Sequence, residues 1–450
     1  MKAKLKNLLI GLLIPWVAAC NAVVPSPVVE PVVSPPATET EEVVIPSKNL
    51  QSPIERQSVD AAPDDVRLLS DGLNQFAVDL YRELGKTEPQ NTFFSPYSIS
   101  LALTMAYAGA DGETAQEMAS VFHYPPSIND LHAVLNSLDQ SLYVIPDYME
   151  GEESGFTLNI ANSIWGQADY PFLSTYLDVL AKNYGAGLRA VDFKHQADQV
   201  RQDINDWVEE ETQDKIQDLL PPGSLNSDTR LVLANAIYFN AAWRNEFVKE
   251  LTENKDFYTM DGETVPVEMM RQQDRFRYKN NERIQIVEMP YVNTRYSMVL
   301  VMPKEQDLLT YQQTLDNQTL SADLEKLSSG ELILSMPKFE FEDGFSVADA
   351  LRSLGMPSAF SPGQANFSRM SEPQSDPLFI SDVFHKAYVA VDEEGTEAAA
   401  ATAVIMEATG AMIEDPPVPL VFDHPFMFLI RDEQTGIYLF MGNLLTPTDG

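Results

Sequence analysis

Residues 391–417, VDEEGTEAAAATAVIMEATGAMIEDPP, constrain the fold of this chain more than any other stretch. Intrinsic propensity makes 396–408 a helix, because alanine is the best helix former. Its setting argues otherwise. The apolar run LFISDVFHKAYVAV before it reads as a strand, Asp415-Pro416-Pro417 ends it with a breaker, and LVFDHPFMFLI after it is another strand candidate. Read as a strand, where alternate residues face opposite sides, the stretch divides cleanly. Thr396, Ala398, Ala400, Thr402, Val404, Met406 and Ala408 carry no charge, while Glu397, Ala399, Ala401, Ala403, Ile405 and Glu407 hold both charges. Such a ribbon can turn one face to a core and leave Glu397 and Glu407 in water. Side chains this small can enter between strands already packed, and Gly395 permits a sharp change of backbone direction before them.

The rest of the chain looks like one large body on a leader. Of 450 residues, 67 are acidic and 30 basic, a net charge of −37 that repels phosphate backbones and argues against nucleic-acid partners. Cys20 is the only cysteine, so no disulfide or thiolate metal set can form within the chain. It ends the run MKAKLKNLLIGLLIPWVAAC, which has a lysine-rich start, an apolar stretch too short to span a bilayer and small residues before the cysteine. This resembles a bacterial lipoprotein signal: residues 1–19 removed, Cys20 lipidated, the protein held at the cell envelope outside the cytoplasm or released from it. Residues 20–64, rich in Pro, Val, Glu, Ser and Thr, read as an extended tether. No second proline-rich break follows, so 65–450 is expected to be a single domain.

Its first part has helical spacing, with Leu69, Leu73, Phe76, Leu80 and Leu84 three and four apart. SPYSISLALTMAYAGA follows as a uniformly apolar, buried helix starting at Ser95-Pro96. Strand patterns come later: FTLNIANSIWG, TRLVLANAIYFNAAW, RIQIVEMPY, YSMVLVMP, ELILSMPKFEFE and the pair PFMFLIRDEQTGIYLFMGNLL. The expected class is α+β with a large, mostly antiparallel sheet. Catalytic signatures are missing: there is no HExxH, GxSxG or strand-borne GxGxxG. Leu84-Gly85-Lys86-Thr87 imitates the end of a phosphate loop, but Leu80 stands where the leading glycine belongs. His123, His132, His195, His385 and His424 are scattered and share no face, which gives a metal site little support. No enzyme and no cofactor are expected.

From about Asp71 to Pro447 the chain resembles the serpin family. NTFFSPYSISLALTMAYAGADGETAQEM is similar to the family's buried second helix and following turn. INDWVEEETQDKIQDLLPPGSLNSDTRLVLANAIYFNAAWRNEF resembles the sixth helix, its crossing segment and the third strand of the main sheet. HKAYVAVDEEGTEAAAATA resembles the fifth strand and hinge, and LVFDHPFMFLI the C-terminal signature. The resemblance implies three sheets, eight or nine helices and an exposed reactive-centre loop, bait for a protease. After acylation by its target the loop inserts into the main sheet as a new strand, a case of strand addition driven by stored strain.

Implied roles follow residue by residue. Glu393, Glu394, Gly395, Thr396, Glu397 and Ala398, Ala399, Ala400, Ala401 fall on the hinge. Ser95, Ser98, Asn235 and His385 fall on the shutter, where strands part and reclose, and Trp243 on the breach, where insertion starts. Counting from Glu393 places the scissile bond at Thr409–Gly410, and counting back from Pro425–Phe426 moves it towards Met412–Ile413. Neither bond offers Lys or Arg, so elastase-, subtilisin- or chymotrypsin-like serine proteases are the expected partners, with papain-like cysteine proteases also open. The protein is expected to be monomeric and to touch membrane only through its lipid. The competing expectation is a non-inhibitory serpin, a binding or chaperone-like module.

Overall fold

The folded chain begins ahead of its first helix. Strand β1 (Lys48–Leu50) pairs antiparallel with β4 (Leu188–Val191), so residues from 48 onward belong to the body and not to a tether running to residue 64. Three residues are too few for a periodic pattern to show. The structure, a computed structural model, describes residues 48–86, 89–143, 155–292, 294–372, 377–396 and 416–447. All of these fall in one compact unit, residues 44–450.

Helix α1 (Pro63–Leu84) starts six residues before its apolar stripe, with Pro63 in the first turn and Asp64 and Asp65 beside the helix N-terminus. It buries Leu69, Leu73, Phe76 and Leu80. After β2 (Thr92–Phe94), α2 (Pro96–Tyr107) is buried along all but its last residue. Ser95 caps it, its Oγ accepting the Ser98 amide N–H at 3.1 Å. Then come α3 (Gly112–Val121), α4 (Leu131–Leu142), β3 (Phe156–Gln167), α5 (Ser174–Tyr184), β4 and α6 (Phe193–Glu211). The strand-rich part holds β5 (Leu231–Ala242), β6 (Glu253–Tyr258), β7 (Thr264–Asn280), β8 (Ile284–Pro290) and β9 (Tyr296–Pro303). It continues through α7 (Leu308–Thr314), α8 (Asn317–Glu325), β10 (Ser328–Pro337), β11 (Phe339–Ser346) and α9 (Ala348–Leu354). The last strands are β12 (Asp382–Val391), β13 (Gly395–Thr396), β14 (Val418–Val421), β15 (Phe426–Asp432) and β16 (Tyr438–Leu444).

The main sheet runs β1-β4-β3-β5-β13-β12-β11, and the second runs β14-β10-β7-β8-β9-β15-β16-β2 with β6 on β7. ELILSMPKFEFE, one strand by pattern, is two: it breaks at Lys338, and its halves β10 and β11 enter different sheets. Pro337 has no N–H to donate, and β10 stops there. The second and third sheets implied by the resemblance are continuous here, because the 17-residue β7 pairs with β6 and β10 over most of its length and with β8 at its end. Helix α2 lies between the main sheet and β16, and α6 covers the opposite face of β3 and β5 through Val200, Ile204 and Val208. The main sheet is thus buried on both faces at its centre.

Candidate functional site

The site is a seam in the main sheet between β5 and β12. Residues 232–237 pair in parallel with 382–387. At mid-seam His385 stands opposite Asn235. The ring is wholly buried, and its Nε2 accepts the Ser95 amide N–H at 3.0 Å. The proton therefore sits on Nδ1 and is donated to Asn235 Oδ1. The Asn235 amide donates to Ser98 Oγ at 2.6 Å and to Asn162 Oδ1. Ser95 Oγ donates to the Leu439 carbonyl of β16 at 2.6 Å. Burial pushes the His385 pKa down to about 3, so the neutral tautomer that fits this circuit is the one present at neutral pH.

Ser95, Ser98, Asn235 and His385 are thus one hydrogen-bonded cluster that joins α2, β5, β12 and β16. Asn162 belongs to it and was not anticipated. Its signal was available: in the antiparallel register of β3 and β5 it lies directly opposite Asn235.

Above the seam the two strands receive β13. Gly395 and Thr396 lie opposite Ala242 and Ala241 of β5, antiparallel, and Thr396 lies opposite Val391 of β12. Thr396, first of the uncharged set, is 1% exposed, and its Oγ1 shares a hydrogen bond of 2.7 Å with the Tyr291 hydroxyl. The Tyr291 ring stacks on Trp243 at 4.7 Å, and Trp243 Nε1 donates to the Asp392 carbonyl at 3.0 Å. The Trp243 and Phe247 amides donate to the Glu394 and Glu393 carbonyls, both at 2.9 Å. Glu393 is buried; its carboxylate accepts from Thr252 Oγ1 at 2.7 Å and from Lys338 Nζ at 2.9 Å. Burial alone would push its pKa up, but the hydrogen bonds from Lys338 and Thr252 outweigh it and hold the group below the usual range. Glu394 pairs with Lys249.

One expectation about the hinge is corrected. Gly395 does not take a left-handed conformation and does not make the reversal; it is a strand residue of β13. The turn is made by Asp392, whose Oδ1 accepts the Glu394 and Gly395 amides at 2.8 and 3.1 Å. Asp392, Tyr291, Lys338 and Thr252 hold Trp243, Thr396 and Glu393 in place and were not anticipated from the sequence. Of the hinge positions, Glu397, Ala398, Ala399, Ala400 and Ala401 lie outside the described residues, as do Thr409, Gly410, Met412, Ile413 and Cys20. Among the described residues no group of three or more His, Cys, Asp or Glu side chains is placed to hold a metal ion, and no helix is long and apolar enough to cross a membrane.

Comparison with known proteins matches this geometry to a family. Residues 71–447 match the profile described as "Serpin (serine protease inhibitor)". An uncharacterised serpin-like protein of Methanosarcina acetivorans is 38% identical over 382 residues, 83% of this chain and 87% of its own. Leukocyte elastase inhibitor A of Mus musculus is 37% identical over 389 residues, 84% of this chain and 99% of its own. Among solved structures, the thermophilic serpin tengpin in its native state superposes with a TM-score of 0.77 at 28% identity, covering 89% of this chain and all of that one. The seam, the polar cluster across it and the seated hinge therefore have a family context: this chain belongs to the serpins.

Proposed function

We propose that the protein is a suicide-substrate inhibitor of serine endopeptidases. The observation that carries this reading is the register of β13. Gly395 against Ala242 and Thr396 against Ala241, continued downward, sets Thr402 opposite Asn235. The β12 register, Thr396 against Val391, continued in the same way sets Thr402 opposite His385. His385 and Asn235 already face each other, so the two registers agree on one path down the seam. Thr402 has the parity of buried Thr396, so its hydroxyl would arrive at the polar cluster as the His385–Asn235 bond parts.

In the proposed reaction the protease serine Oγ attacks the carbonyl carbon of Thr409, the bond to Gly410 breaks, and Gly410 leaves as a protonated amine. An ester then joins the two proteins. Insertion of about fourteen residues at about 3.3 Å each carries the bound protease roughly 45 Å before water can complete turnover. The protease supplies the nucleophile; this chain supplies strain and a seam. Small and apolar residues around both candidate bonds, and a relative named for leukocyte elastase, favour targets with small or apolar primary pockets. Display at the cell envelope through lipid on Cys20, with the inhibitor monomeric, completes the proposal; it rests on the leader sequence.

The test uses elastase, subtilisin and chymotrypsin with SDS gels and sequencing of the released C-terminal peptide. Trapping gives a covalent band heavier by the mass of the protease, and the peptide's first residue names the bond. Thr396→Arg should leave the rest of the fold intact with residue 396 unseated, and should abolish the covalent band in favour of clean cleavage, because a guanidinium cannot occupy the buried place beside Tyr291. Clean cleavage of the parent chain would instead make it a binding module.

A further inference from the structure

Residues 48–61 are folded onto the body but precede the family match, which starts at residue 71. Their contacts are specific. β1 extends the edge of the main sheet at β4. Ser52 Oγ donates to Asp178 of α5 at 2.5 Å, and the Gln57 amide donates to the Lys182 carbonyl of α5 at 2.9 Å. The Gln57 carbonyl accepts from Asn136 and Gln140 of α4 at 2.8 and 2.9 Å, and the Ala61 amide donates to Ser137 Oγ at 3.1 Å. Arg56 is central: Nε donates to Asn136 Oδ1 at 2.8 Å, and a terminal nitrogen donates to Asp139 Oδ2 at 2.6 Å. Asn136 is wholly buried, and the Asp139 side chain is 6% exposed. The other Asp139 oxygen accepts the hydroxyl of Tyr97 in α2 at 2.8 Å. Tyr97 precedes Ser98, whose Oγ accepts from Asn235 in the seam.

We propose that residues 48–61 are a strap that holds the sheet in its closed, uninserted form; this rests on the inhibitory reading above. For the seam to open, the block β1-β4-β3-β5 must move against β12-β11, because β3 and β5 are joined by eleven pairs and β11 and β12 by eight, against six at the seam. The strap ties the outer strand of that block to α4 and α5, and through Asp139 to α2, which with its cap Ser95 carries two of the five residues of the polar cluster. Movement of the block draws Arg56 from a buried carboxylate, and a carboxylate stripped of its partner in an apolar setting is strongly unfavourable. The strap also joins the body to the leader, so pull or cleavage there acts on the clasp directly.

The experiment uses the full chain carrying Cys20→Ser to prevent lipidation, incubated below its melting temperature and assayed over time for covalent trapping and for heat-resistant, uncut protein. Arg56→Ala should lose trapping about tenfold faster or more and yield a heat-resistant uncut form, since breaking one side of a buried pair is costly. Arg56→Lys should restore part of the lifetime, because an ammonium keeps the charge but not the fork that holds Asn136 and Asp139 together. Ser52→Ala cuts the α5 anchor without stranding a charge and should shorten the lifetime less, which gives a readout even if Arg56→Ala does not fold. Lifetimes equal to the parent's, or simple unfolding with no heat-resistant product, would overturn the strap. If protease-nicked parent gains no heat resistance, the inhibitory reading falls and takes the strap with it. If nicked parent gains resistance while the strap variants behave as parent, only the strap falls.

Discussion

Strand β5 is bonded on both edges, and the two edges are built to different ends. Against β3 it forms eleven antiparallel pairs without interruption. Against β12 it forms six parallel pairs, with buried His385 and Asn235 at mid-length and Thr396 wedged in above them. Parallel pairing is slightly the weaker per residue, but the larger difference is chemical. An apolar contact that is opened loses its partner outright. A cluster of hydroxyl, amide and imidazole can exchange one partner for another and stay satisfied. In the proposed mechanism the seam is the edge of β5 that parts and recloses around a new strand, and the β3 edge keeps the sheet whole meanwhile.

The largest test of that contrast is to let the seam open. About a dozen new ladder bonds at about 1 kcal/mol each contribute on the order of 10 kcal/mol. At roughly 1 °C per kcal/mol for a body spanning residues 44–450, given an unfolding entropy of about 2.1 cal/mol/K per residue, nicked protein should melt at least about 10 °C above intact protein by scanning calorimetry. A nicked form that melts within a few degrees of the intact one removes the asymmetry altogether. Next in size is a pair of substitutions, one in the polar cluster and one on the β3 edge outside it. Asn235→Ala strands groups on buried His385 and Ser98 and on half-buried Asn162, and should cost about 3–5 kcal/mol in denaturant titrations of the intact protein. Ser163→Ala, on β3 and facing Ala234, should be nearly neutral, because Ser163 Oγ is buried with no hydrogen-bond partner. Equal costs at the two positions would mean that the edges are not specialised.

The same contrast explains what was legible in the residues. Of the ribbon from 396 to 408 only Thr396 lies among the described residues, and it is buried with the parity that alternation assigns to the core. Helix α2 and the strands β3, β5, β9 and β16 showed through apolar runs long enough to exceed chance. Ser95, Ser98, Asn235 and His385 were assembled by resemblance alone; no local rule connects residues 290 positions apart, as Ser95 and His385 are. Asn162 was missed because its role comes from register, which a single strand does not carry. Asp392 was missed because Gly395 offered a ready account of the turn, whereas the carboxylate does the work. The strap was missed because three residues of strand and one arginine fork carry no periodicity, and Arg56 finds its partner only once α4 is folded.

The smallest of these effects, and the one that separates the edges without altering any residue, is acidification. Burial pushes the His385 pKa down to about 3 and that of His132, on α4, to about 4. Both are neutral when folded and take up protons near pH 6.5 when unfolded, so their stabilisation is present above that pH and is lost as pH falls. Asp343 acts in the opposite sense: burial pushes it up to about 6, so the folded state gains stability as pH falls from there towards its ordinary value. From pH 7 to pH 5 each histidine removes about 2 kcal/mol and Asp343 returns about 1.3, a net loss of about 2–3 kcal/mol. Denaturant midpoints at pH 7, 6 and 5 should fall accordingly, and His385→Gln should flatten the profile to a loss of under about 1 kcal/mol over the same range. An unchanged slope in that variant would place the titration outside the seam. The edges themselves report by hydrogen exchange. His385 takes up a proton at pH 5 only when the seam opens, which favours the opened seam, so β12 amides should exchange faster at pH 5 relative to those of β3, whose ladder with β5 contains no side chain that titrates between pH 5 and 7.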